Sequence, residues 1–591
     1  MPRTTLALTS FVSGEFGNKL TGRTDFEKYQ SAAKTMENFL VHPQGAATRR
    51  VGTQFISEVK SSAAKTRLIP FEFSTTQTYI LEFGNQYIRF YKDKGQIVTG
   101  SPAVAYEIAT PYLTAELFDI KFAQSADVMY LVHPNHNVRK LSRTGHTSWT
   151  LATVSFTGSP SLPIAGANNR PSCVSFYEQR LAFAGTNNNP QTIWFSKAGD
   201  YENFTTGTNA DDAMIYTIAS NQVNAIRYLK AQRTLVVGTS GGEFTVSADG
   251  TDASITPTNV TIKKQSSYGS ANVDAVAAGN AILFLQKAKR KIRELAYNFD
   301  SDSYVAPDLT ILNDAVTESG IVQMEWQQEP DNILWCVRED GQLAALTYQR
   351  SEAVVSWHRH ILGGSFGSGN SVVESIASIS GVLNEDELWC IVKRTINGST
   401  KRYVECFSDF DFDETDATAF KFLDSHLTYS GSATTTLSGL SHLEGQTVSI
   451  LADGSVHANK TVSSGSITLD RSVTKAVVGL SYDSVLQTMR IEGGAAEGTS
   501  QGKTKRISKV VLRLFETVGV KVGPSLSNLE TIPFRTTSSN LSAPVETLLE
   551  GDKEIEFNDD FNSDGFIFIK QDQPLPASIL AIYPTLVTND G

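Results

Sequence analysis

Between residues 79 and 91 the chain reads YILEFGNQYIRFY, two short apolar-aromatic runs on either side of Gly84-Asn85-Gln86. Ile80 and Glu82, then Tyr87, Arg89 and Tyr91, follow a period of two, which predicts a β-hairpin with one buried and one wetter face. The same unit of apolar strand, polar turn and second strand returns at Leu131 (LVHPNHNVRKL), Phe183 (FAGTNNNPQTIWF) and Val236 (VVGTSGGEFTV). It returns again at Leu283 (LFLQKAKRKIREL), Leu334 (LWCVREDGQLAALTY) and Leu388 (LWCIVKRTINGSTKRYVECF). Successive anchors lie 47 to 54 residues apart. A lone hairpin buries too little apolar surface to be stable. Hairpins wedged face to face in a ring bury that surface between neighbours and leave only short edges. The spacing therefore predicts a mainly β protein with a β-propeller-like domain of about seven blades over residues 51–415. Kelch and WD signatures are absent, so the pattern alone carries the prediction.

The flanks break the rhythm. Residues 1–50 are polar and predict a partly helical segment, with a short helix around DFEKYQSAAKTMENF. Residues 416–500 read as an inserted β domain of short strands joined by Asp-Gly and Gly-Ser turns. IEGGAAEGTSQGKTK (491–505) reads as a Gly-rich linker or loop at its boundary with the next domain. Residues 501–591 form a C-terminal β domain. In its first strand Val510, Leu512 and Leu514 alternate with Val511, Arg513 and Phe515, which predicts burial on both faces.

Composition narrows the class. The 591 residues exceed one ordinary core, and 40% apolar with 19% charged describes a loop-rich globular chain. No secretory signal is expected at MPRTTLALTSFVSGEFG, and no apolar run reaches the length of a membrane span. Cys173, Cys336, Cys390 and Cys406 share no CxxC spacing, which favours buried thiols in a reducing compartment over a disulfide framework. The net charge of −11 argues against a tight nucleic-acid clamp, although local basic patches remain open.

Several stretches imitate functional motifs. GTSQGKT (498–504) lacks the opening Gly of a phosphate loop, because Glu497 occupies that position. GTSGG (238–242) and GGSFG (363–367) fit a nucleophile elbow but lie in a hairpin and a Gly/Ser loop. DFNSDG (560–565) opens like a calcium loop, yet Gln571 stands where a bidentate Glu is needed. DFDFDETD (409–416) lacks the central Gly, with Glu414 there, and reads as a solvated acidic loop, with a divalent cation held between its acidic side chains as the open alternative. His133 with His136, and His358 with His360, have metal-compatible separation but no third ligand nearby in sequence. No metal, cofactor or catalytic constellation is therefore expected. Two basic clusters remain. KAKRKIR (287–293) sits at a predicted hairpin turn. In KTKRISK, Lys503, Lys505, Arg506 and Lys509 are candidates for contact with DNA or with a neighbouring subunit.

The longer strings resemble the tail tubular protein B, or tail nozzle, family of short-tailed bacteriophages. They are RLIPFEFSTTQTYILEFGNQYIRFYKDKG (67–95), QSSYGSANVDAVAAGNAILFLQKAKRKIREL (265–295), YVAPDLTIL (304–312), QEPDNILWCVREDGQLAALTY (328–348), DELWCIVKRTINGSTKRYVE (386–405), KRISKVVLRLFETVGVKVG (505–523) and FIFIKQDQPLPASILAIYP (566–584). The likeness runs in order from about residue 40 to the end. It implies a virion structural protein, not an enzyme and without cofactor, assembled in the host bacterial cytoplasm and resident in the virion tail. It implies a homohexameric ring below a tail adaptor ring of the tail tubular protein A type, with fibres or spikes attached nearby. Genomic double-stranded DNA would leave through the lumen without sequence-specific contact. Platform and tip domains of β-sandwich or barrel type would accompany the propeller. The alternative is a propeller that binds or cleaves glycans on the host surface, with Trp149, Trp194, Trp326, Trp335, Trp357 or Trp389 stacking on sugars. Trp335 and Trp389 hold equivalent repeat positions, which fits a blade core better.

Overall fold

The computed structural model describes residues 3–158, 169–219, 222–250, 253–381, 385–410, 415–493, 499–534 and 548–589. Seven antiparallel sheets follow one another along the chain, and we number them as blades 1 to 7. Blade 1 (residues 67–109) is built on strands Arg67–Ser74, Gln77–Gly84 and Tyr87–Lys92. Blades 2 to 6 each order four consecutive strands, over residues 121–153, 173–217, 226–266, 276–305 and 321–360. Blade 7 takes three strands from residues 372–407 and its fourth, Thr53–Glu58, from the start of the chain. That strand lies antiparallel to Ser399–Phe407, with Tyr403 opposite Glu58 and Phe407 opposite Thr53. Closing the circle with a sequence-distant strand protects the last blade's edge.

The repeat anchors explain why the ring packs. Ile80, Leu131, Phe183, Val236, Leu283, Leu334 and Leu388 all fall on the second strand of their blades, and all are buried. Second strands have neighbours on both sides and on both faces, so their alternation fills with apolar residues. In blade 5 the run Ala281–Leu285 is buried throughout. Trp335 and Trp389 sit at the matching position in blades 6 and 7 with 0% exposure. Burying such a side chain is worth roughly 2–3 kcal/mol.

Two sheets continue beyond the propeller. The four strands of blade 6 extend from their outer strand, Val354–His360, through Gly14–Glu15 and Ala32–Glu37 to Ser484–Thr488, Phe568–Gln571, Lys521–Ser525 and Asn528–Thr531, making one ten-stranded sheet. Facing it is a second sheet of Phe39–Val41, Ala47–Arg49, Ser578–Asn589, Thr504–Thr517 and Leu549–Glu556, with Arg3–Thr5 paired to Ser578–Asn589. Met36, Leu486 and Ile569 from one sheet and Val510, Leu512 and Ile582 from the other share one core, which makes this unit a β-sandwich platform. From blade 7 the sheet passes through Thr53–Glu58 to the long antiparallel pair of Asp424–Ser438 and Ser466–Leu480, which carries the inserted domain.

Two expectations are corrected. The stretch expected to form a helix contains one 3₁₀ turn, Glu27–Tyr29, followed by the strand Ala32–Glu37. Its Ala33 and Met36 fill the sandwich core, and it pairs with Ser484–Thr488, so tertiary burial outweighs the helix propensity of Ala, Lys and Glu. The strand Thr504–Thr517 is buried on one face only. Val510, Leu512 and Leu514 point inward, whereas Arg513 and Phe515 are exposed.

Candidate functional site

The inner strands of the blades begin at one mouth of the propeller and finish at the other. Where they begin, long side chains fill the axis. Lys121 of blade 2 reaches across to donate to the Arg227 carbonyl of blade 4, and its Nζ lies 3.1 Å from Asp274, which precedes blade 5. Arg67 of blade 1 is buried, donates to the carbonyls of Leu117 and Ile120, and feels the charges of Asp274 and of Glu325 in blade 6. Burial pushes the Glu325 carboxyl up to about 7, against the pull of Gln323 and Arg67. With these side chains crossing its mouth, the axis of a single propeller is not an open bore for a nucleic-acid duplex.

The two mouths differ. Where inner strands finish, Glu72, Phe122, Gln124, Trp326, Gln328 and Asp386 line an open cavity. The carboxylates there are committed to the backbone. Glu72 accepts from Ser380 N–H at 2.8 Å, and Asp386 accepts from the N–H groups of Gln328 and Glu329 at 2.6 and 3.1 Å. Where inner strands begin, Asp119, Pro134, Ser172, Arg227 and Asn272 line a second cavity.

The basic candidates separate in space. Lys505 is completely buried. Its Nζ donates to the Ile491 carbonyl at 3.2 Å, burial lowers its pKa, and its stem packs under Gly565. It therefore contacts neither DNA nor a second subunit, and that expectation is withdrawn. The cause is the pleat: Lys505 shares the inward face with Ile507, while Arg506 points to solvent. Lys503 is half-buried ahead of the strand. Lys509 pairs with Glu554 at 2.9 Å, and Arg513 binds Asp552 through two bonds of 2.7 and 2.8 Å. The adjoining strand Leu549–Glu556 thus answers this basic row with Glu550, Asp552, Glu554 and Glu556. In KAKRKIR, residues 287–291 form an exposed turn between the second and third strands of blade 5. Arg293 turns inward, with its guanidinium 3.5 Å from the Tyr268 ring centre and 2.7 Å from the Ala306 carbonyl.

The motif look-alikes resolve into turns. GTSGG spans the hairpin of Leu235–Thr239 and Gly242–Ser247, and GGSFG leads into the small hairpin at Ser365–Phe366. In DFNSDG the Asn562 side chain accepts from the N–H groups of Asp564 and Gly565 at 2.9 and 2.7 Å, a local turn bond. Residues 411–414 of the acidic loop and 494–498 of the Gly-rich stretch lie outside the described residues. Five tryptophans, Trp149, Trp194, Trp335, Trp357 and Trp389, are buried, so none of them presents a face to a sugar. The four cysteines are buried and free.

The histidine pairs part ways. His358 and His360 are fully buried and bonded to each other, Nδ1 to Nε2, at 2.7 Å. Thr347 gives its hydroxyl proton to the Val41 carbonyl, so its oxygen accepts from His358 Nε2–H, and His358 Nδ1 accepts from His360. This chain ties blade 6 to the platform. His133 and His136 instead gain a third partner that the sequence reading missed, Glu116, whose Oε2 is 2.8 Å from His136 Nε2. Glu116 lies too far upstream for local spacing to reveal it.

No protein-family model matches the sequence, and no curated protein matches it. Among solved structures the chain is similar to the WD40 domain of Neurospora crassa Pan2, with a TM-score of 0.36 and 10% identity over 61% of this chain and 96% of that one. It is similar also to the β-propeller domain of Myceliophteria thermophila Cps50 (Swd1), at TM-score 0.36 and 9% identity over 60% and 99%. A third is the set of RRP9 WD40 repeats, at 0.37 and 8% over 61% and 100%. Its own strand order defines the class of this protein: a seven-bladed β-propeller joined to a β-sandwich platform and an inserted β domain.

Proposed function

We propose that this chain is a virion structural protein whose copies, six in the preferred reading, form a tail nozzle through which double-stranded DNA leaves. The observation that carries the reading is where the family-like strings fall. They supply buried strands of both bodies: blades 1, 5, 6 and 7 of the propeller, and the paired strands Thr504–Thr517 and Ser578–Asn589 of the platform. A likeness confined to the propeller would speak only of a common fold. The filled axis adds a constraint: a conduit for a duplex has to lie between copies. The acidic partners of Lys509 and Arg513 suit a wall that does not grip phosphates, since cation-rich linings bind DNA through counterion release. An adaptor ring above and fibres or spikes alongside complete the proposed setting in the virion tail.

Light scattering on the chromatographically purified full chain, with negative-stain electron microscopy, tests this. Rings with an open centre wide enough for a duplex are expected. A monomer that releases sugar from host polysaccharide would replace the nozzle reading with the glycan-cleaving alternative.

A further inference from the structure

At the mouth where the inner strands begin, three side chains from three elements converge. Glu116 comes from the 3₁₀ turn Thr114–Asp119, His133 ends the strand Val128–His133, and His136 opens the strand His136–Gly145. The histidines are cross-strand partners with ring centres 5.1 Å apart. One donor atom from each of the three residues lies within 4.8 Å of the other two.

More than an ion pair is present. His133 is 1% exposed, yet its Nε2 has no hydrogen-bond partner among the described residues. The Tyr112 hydroxyl is also buried without a partner among the described residues, and the Tyr112 ring lies 5.0 Å from that of His136. Buried polar atoms left unpaired beside a carboxylate and two imidazoles call for an occupant. We propose that Glu116, His133 and His136 form a binding site for a divalent transition metal of the zinc class.

The donor set selects the ion. Two imidazoles and one carboxylate suit Zn²⁺, Co²⁺ or Ni²⁺, whereas Ca²⁺ and Mg²⁺ prefer all-oxygen cages. Ligand atoms about 2.1 Å from zinc in a tetrahedron stand about 3.4 Å apart. The cluster must therefore contract by at most about 1.4 Å, which side-chain rotation of the half-buried Glu116 and His136 supplies. The ion takes the place of the proton now shared between His136 Nε2 and Glu116. At His133, Nδ1 accepts from the Asn135 N–H at 3.0 Å, so the neutral ring carries its proton on Nε2. Ligation through Nε2 moves that proton to Nδ1 and turns the Asn135 amide away. Asn135 sits exposed at the hairpin tip, so the rearrangement stays local.

The test uses the metal-stripped full chain, titrated with zinc chloride by calorimetry and with cobalt chloride by visible absorption. One Zn²⁺ per chain and cobalt bands of nitrogen–oxygen coordination are expected. His136→Gln and Glu116→Gln should each weaken binding by about tenfold or more. Glu116 also accepts from the Leu113 N–H, so if Glu116→Gln unfolds, the half-exposed His136→Gln decides alone. No saturable binding in the micromolar range, or binding that survives His136→Gln, overturns the proposal.

Discussion

Arg50 and Asp424 meet through two bonds, Nη2 to Oδ2 at 2.7 Å and Nη1 to Oδ1 at 2.8 Å, with neither side chain exposed to solvent. Arg50 stands just before the strand that closes blade 7, and Asp424 opens the inserted domain. Asp424 also accepts from the N–H groups of Thr53 at 3.1 Å and Gly363 at 2.7 Å. The Tyr482 ring centre lies 3.7 Å from the guanidinium. Burial alone would push the Asp424 carboxyl up, but Arg50 and the Gly363 amide hold it below its ordinary range. Propeller, platform and inserted domain all meet at this pair. Asp424→Asn should lower stability by about 3–5 kcal/mol, because it leaves a buried guanidinium uncompensated. Urea unfolding followed by tryptophan fluorescence measures it, and a loss under 1 kcal/mol would contradict this account.

A second prediction concerns the closing strand's first turn. A Cβ on Gly52 would stand 1.9 Å from the Leu423 carbonyl oxygen, a backbone atom that cannot step aside. Gly52→Ala should cost about 2–3 kcal/mol. Gly22, where an added Cβ meets nothing within 4 Å among the described residues, is the control, and Gly22→Ala should stay within about 0.5 kcal/mol of the parent. Equal melting temperatures for the two variants would refute the packing argument.

Glu325 supplies a pH-dependent term. Its folded pKa is raised by burial to about 7, so the folded chain holds this proton more tightly than the unfolded chain does. Stability from that proton is full below the ordinary carboxylate range and is lost as the pH rises through 7. Glu325→Gln removes the penalty of a charged carboxylate in the axis. The variant should gain about 1–3 kcal/mol over the parent at pH 8 and little at pH 4. Parallel denaturant titrations at the two pH values decide, and the same difference at both would rule the term out.

The thiols give the simplest check. Burial raises the pKa of Cys173, Cys336, Cys390 and Cys406, so few thiolates form, and none is accessible. A chromogenic disulfide reagent should label none of the four within minutes in buffer and all four in strong denaturant. Rapid labelling of the native protein would mean that a blade core opens.

The propeller was legible because second strands such as Ala281–Leu285 are apolar on both faces and recur at near-constant spacing. The closing strand Thr53–Glu58 was not, since pairing across some 350 residues leaves no local period. The basic row around Lys505 misled for a different reason: charge was counted along the chain without the pleat, although the Lys505–Ile507 alternation already placed one lysine inward. Glu116 was invisible from spacing, because a turn between blades brings it to the histidines.

The borrowed strand sets a clock on synthesis. Thr53–Glu58 leaves the ribosome first among the elements of blade 7, and its partner Ser399–Phe407 follows about 350 residues later. At elongation rates of about 5–20 residues per second the early strand waits on the order of tens of seconds with an open edge. A nascent chain therefore carries an unclosed ring for most of its translation, and shielding that edge is a task for whatever meets the polypeptide at the exit tunnel.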